Sequence, residues 1–115
     1  MSVEVREALA AAASSLDGVT CTPYYRQSTK TGDAWVHLAS RAPGSTGFGY
    51  VDTWQVVVVL PQDLVAAEKW LDVRLSELLA ALEPELVITT VTPTELALPS
   101  ASSVNAVLVV GAREA

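Results

Sequence analysis

The sequence predicts an α+β domain: a single mixed or antiparallel sheet of about five strands with two helices packed on one face, in the order α-β-β-β-α-β-β. Three observations carry that expectation. Two segments, residues 3–16 and 63–83, repeat apolar side chains at helical spacing. Five others are short and rich in β-branched or aromatic residues. No internal repeat and no long linker divides the 115 residues, so the chain reads as a single domain, 1–115.

The elements follow in order. In 3–16, Val5, Leu9, Ala12, Ala13 and Leu16 share one helical face, Ser2 is a suitable N-cap, and Asp17-Gly18 is a stop. Residues 19–25 read as a short strand that Pro23 confines to an edge or a bulge. After the polar loop 26–33 comes a second strand, 34–41, with Ala34, Val36 and Leu38 on one face and Trp35, His37 and Ala39 on the other. A glycine-rich loop, 42–49, leads into the strongest strand, 50–60. Asp63 starts the second helix, whose Leu64, Ala67, Leu71, Leu75, Leu78 and Leu82 repeat at helical spacing until Pro84 interrupts. Residues 86–92 form a strand that 95–98 can continue past Pro93, and 103–110 form the last, with Gly111 and a polar tail closing the chain.

Composition excludes several function classes. Half the residues are hydrophobic and 17% are charged, which argues against disorder and favours an oligomer. The net charge of −6 and the scattered basic residues leave no patch for nucleic acid or lipid headgroups. The apolar runs, such as 56–60 and 106–110, are far shorter than the roughly 20 residues of a spanning helix. Cys21 stands alone, which fits a reducing compartment, and Glu4 and Glu7 make the N-terminus unlike a secretory signal.

Chemistry is sparse. His37 is the one histidine and lies mid-strand; pairing it with Cys21 as nucleophile and base has no supporting sequence context. One histidine and one cysteine cannot complete a zinc site within a chain, and no acidic spacing suggests calcium. The loop Gly44-Ser45-Thr46-Gly47-Phe48-Gly49 lacks the Gly-Lys-Ser/Thr ending of a phosphate loop and precedes a strand. Glu83 and Glu85 read as a solvated helix end, and Trp70 as a core or interface anchor. The expectation is a non-enzyme with no catalytic residue, metal or cofactor.

The sheet points to a partner. In 50–60, Trp54, Val56, Val58 and Leu60 alternate with Thr53, Gln55, Val57 and Val59; in the last strand, Val104, Ala106, Leu108 and Val110 alternate with Val107 and Val109. Both faces are therefore apolar, while two helices cover about one. Burying a valine is worth roughly 1.5–3 kcal/mol, so Val57, Val59, Val107 and Val109, or their counterparts, are expected to meet a neighbouring subunit. The alternative is that a long loop, or the twist of the sheet, folds over that face.

Taken together, VREALAAAASSLDGV, TPYYRQSTKTGDAWVHL, GFGYVDTWQVVVVLPQDLVAAEKWLD and TTVTPTELALPSASSVNAVLVVGARE resemble the small tail terminator proteins of long-tailed, siphovirus-type actinobacteriophages. The resemblance spans nearly the whole chain and rests on order, length and texture, with no catalytic signature among its motifs. It implies a structural virion protein: a homo-oligomer, usually a hexameric ring, at the head-proximal end of the tail tube. Such a ring ends tube polymerisation and offers a head-tail joining surface to the connector protein. It would be assembled in the host cytoplasm, with DNA passing through its lumen unbound. Six copies would carry a formal charge of about −36, which lets DNA slide where acidic groups line the lumen. The polar loops are the expected contacts to the tube or a neighbour, through Arg26, Lys30, Arg41 and Phe48. Another connector ring subunit of the same joint (a head-closure or adaptor protein) is the nearest rival; a small enzyme or ligand-binding domain with an interfacial pocket, and a host regulatory module, are more distant.

Overall fold

A computed structural model describes residues 2–44, 47, 49–99 and 103–114. Its elements are α1 (Ser2–Ser14), β1 (Thr20–Thr22), β2 (Asp33–Pro43), β3 (Tyr50–Val59), α2 (Leu64–Leu82), β4 (Val87–Ala97) and β5 (Ser103–Glu114). The strands form one sheet in the order β1-β2-β3-β5-β4; β1 runs parallel to β2 and every other pair is antiparallel. The expected α+β class, the element order and the placement of both helices on one face all hold.

Local chemistry explains most boundaries. The Asp63 carboxylate caps α2 by accepting from the Ala66 N–H (3.3 Å), and Glu83 closes it by donating its N–H to Leu79. β1 is an edge strand that stops just before Pro23, as a residue without an N–H requires. Ser2, the expected cap, is the first residue of α1; the helix ends at Ser14, whose hydroxyl accepts from the Cys21 N–H (2.9 Å) and ties it to β1. β4 runs unbroken through Pro93 because it is the other edge strand, where one side of the backbone needs no ladder donor. β5 continues past Gly111 to Glu114; Gly111 is a packing position, since a Cβ there would come within 2.9 Å of Leu86 Cβ.

Parallel strands cannot be joined by a tight turn. Residues 23–32 supply the return path from β1 to β2, which accounts for their length. Gly32 closes that path in a left-handed conformation (φ +89°), its N–H donating to the Val59 carbonyl (2.9 Å). A side chain there is excluded, because its Cβ would fall on the Gly18 carbonyl oxygen. Asp33, buried at the start of β2, accepts from the Ser28 hydroxyl (2.6 Å) and faces Arg26 (3.5 Å), which holds the middle of the loop.

The helix-side core joins Leu9 and Ala13 of α1, Leu16 just past its end, Leu78 and Leu82 of α2, and Val36, Trp54, Val56, Val58, Val107 and Val109 of the sheet. Trp70 packs against it, half-buried. A second core on the opposite face joins Trp35, Val57, Val59, Leu98, Val104 and Ala106. The expected grouping of Val57, Val59, Val107 and Val109 on one bare face is therefore wrong. The register pairs Val57 with Leu108 and Val58 with Val107, so odd-numbered residues of β3 share a face with even-numbered residues of β5. All four valines are at most 3% exposed within a single chain. The apolar part of the helix-free face is covered by Leu98, just past β4, and by the return loop, whose Tyr25 meets Trp35 edge-to-face at 5.2 Å. This is the alternative in which the chain folds over its own sheet, and buried valines no longer require a neighbour.

Truncating Val59 or Val107 to alanine is expected to destabilise the folded subunit by roughly 2 kcal/mol. Denaturant titrations at two protein concentrations tenfold apart check this, with the same loss expected at both.

Candidate interaction surfaces

The expected valines are covered within the chain, and the unpaired backbone of the sheet lies at its edges and ends. β1 pairs only with Asp33, Ala34 and Trp35 of β2. Further along, the Val36 carbonyl accepts from Arg6 (3.1 Å), and among the described residues no strand flanks the outer edge of β2, the side away from β3, from His37 onward. Arg6 also donates to the Pro23 carbonyl (2.9 Å) and stacks over Tyr24 (4.6 Å) and Trp54 (5.2 Å), pinning α1 to this margin. β4 forms the opposite edge along its whole length, interrupted by an irregularity between Ile88 and Thr90.

The end of the β2–β3 hairpin forms an arm beyond the helix-covered core: every β2 residue from Ala39 to Pro43 is exposed. One ion pair holds it. Arg41 faces Asp52 across the strands and grips both carboxylate oxygens, at 2.6 and 2.8 Å, with its guanidinium 5.6 Å from the Tyr50 ring. These hydrogen bonds hold the Asp52 carboxyl below the ordinary carboxylate range; burial opposes the shift and the Arg41 charge adds to it. Arg41, expected to contact a partner, is thus committed to its own hairpin. Sequence reading passed over Asp52, although an acid in step with Trp54, Val56 and Val58 was a visible signal of a buried partner.

The other expected contact residues divide. Lys30 is exposed, and Arg26 is half-exposed while it braces Asp33. Phe48 lies outside the described residues. Val57, Val59, Val107 and Val109 offer no surface to a partner.

The chemical candidates are not brought together. Cys21 sits in the helix-side core, where burial pushes its thiol up to about 12, far from a reactive thiolate. His37 lies across the sheet, lining a shallow groove of about 210 Å³ with Gln55, Tyr25 and Leu108. Glu83 caps α2, and Glu85 pairs with Arg113 at 2.8 Å, so the two acids serve different partners. Among the described residues no group of three or more His, Cys, Asp or Glu could hold a metal ion, and no helix is long and apolar enough to cross a membrane. No protein-family model matches the chain, and no curated protein matches it significantly.

Because the native Asp52 carboxyl titrates below its unfolded value of about 3.9, its contribution is complete above that pH and is lost as pH falls through the native value. Asp52→Asn should therefore be less stable than wild type at pH 6, with the gap closing below about pH 4. Thermal melts across that range check it.

Proposed function

We propose that the chain is a structural subunit of a bacteriophage tail, a tail terminator that works as a ring at the head-proximal end of the tail tube. In this role it ends tube polymerisation and presents a joining surface to the connector, and DNA passes through its lumen without specific contact. The chain then works without catalysis or cofactor, assembles in the host cytoplasm and remains in the virion. The sequence resemblance over nearly the whole chain is what suggests the identity.

The observation that carries the physical side is the pair of unlike sheet margins. One is the outer edge of β2 beyond its short neighbour β1; the other is β4. Contact between unlike surfaces repeats head to tail, and when the rotation closes it produces a ring. With the apolar centre of each sheet face buried inside one subunit, the ring reading assigns side-by-side contact to these margins and to the hairpin arm.

Electron microscopy of the purified protein, alone and with tail tubes, tests this reading. The expected images are rings, six-fold in plan, capping one end of each tube. Rings that bind the portal side and leave tubes bare would assign the chain to another connector of the same joint. Removing residues 27–29 or 44–47 should lengthen tails or block head joining. Normal tails and normal joining from both deletions would refute a role for these loops.

A further inference from the structure

We propose that neighbouring copies dock by placing the Lys30 loop of one subunit into an acid-rimmed cleft between α2 and β4 of the next. The proposal rests on the ring reading and names the contact that closes it.

The cleft measures about 250 Å³. Leu60, Leu71 and Pro93 give it an apolar lining, Leu64 stands at its margin 70% exposed, and the exposed residues Glu68 and Glu95 bring carboxylates to it. Its wall is fixed before any partner arrives: Asn105 donates its backbone N–H to the Gln62 side chain (3.1 Å) and its side-chain amide to the Gln62 carbonyl (3.3 Å). Glu95 accepts from the Ser103 hydroxyl (2.9 Å), and no described ion pair engages Glu68 or Glu95. An apolar lining beneath carboxylates suits a lysine, whose four-carbon stem seeks apolar cover while its ammonium seeks negative charge.

Such a side chain stands at the other margin. Lys30 is exposed and enters no described ion pair, whereas Asp33, three residues on, is buried and already held by Ser28 and Arg26. Placement matches charge. Gly32 bonds to the Val59 carbonyl, which puts the loop at the C-terminal end of β3; Leu60 bonds to the Asn105 carbonyl (2.9 Å), which puts the cleft at that same end. The strand order sets the loop on the β1 side and the cleft on the β4 side. Copies placed side by side, head to tail, therefore bring the Lys30 loop of one to the cleft of the next at one level.

Charge reversal tests the pairing by sedimentation and native mass spectrometry. Lys30→Glu alone, and Glu68→Lys with Glu95→Lys, should each raise the concentration for half-assembly by at least roughly tenfold. The triple variant should recover wild-type assembly, as should an equimolar mixture of the two defective proteins, in rings that alternate. Recovery also shows that the variants fold. Rings unaffected by either reversal, or defects that neither the triple variant nor mixing repairs, would overturn this contact while leaving the ring reading intact. A wild-type protein that stays monomeric throughout would overturn both.

Discussion

β3 buries side chains on both of its faces, and the other elements are placed by the need to cover them. Trp54, Val56 and Val58 lie beneath the helices, while Val57 and Val59 face the opposite way. A chain of 115 residues has only two helices with which to meet this demand. Both go to one face. The apolar part of the other is covered by economical means: a return loop forced by the parallel β1–β2 pair, and the buried Leu98 just past β4. The same loop that Asp33 and Gly32 hold in place thus serves as a lid for Trp35.

Burying the apolar centre of each face changes where a partner can act. A bare apolar sheet face would invite broad stacking, insensitive to salt. Here the large apolar side chains left exposed sit on the helices, in the return loop and at strand starts, as with Leu64, Tyr24 and Val87, and the unpaired strand margins and charged loops remain. Contacts of that kind are smaller and more directional, and their strength depends on charge complementarity. Pro93 and the strand irregularities blunt these margins against indiscriminate strand pairing between copies.

Much of the fold was legible in the sequence because period and capping are local. The leucine repeat of α2, its Asp63 start, and the alternation in β2 and β3 needed no tertiary information. The faces of individual strands were also readable. What could not be read was the offset between strands: Val107 aligns with Val58 only through an antiparallel register that no local pattern states. That one offset turned four valines from a supposed sticky face into parts of two separate cores. Pro93 and Gly111 looked like strand ends for a similar reason, since an edge position and a close approach to Leu86 are properties of neighbours. The arm's lock, Arg41 with Asp52, was hidden because the two residues meet only across the hairpin.

The central claim is that subunits meet along sheet margins and not across sheet faces. Amide hydrogen exchange, compared below and above the assembly concentration, tests it most directly. The account predicts new protection on assembly at residues 26–32, at the start of α2 and at residues 93–97, with the amides of Val57, Val59, Val107 and Val109 already protected and unchanged. Protection gained along the middle of β3 and β5, with both margins unaltered, would contradict it.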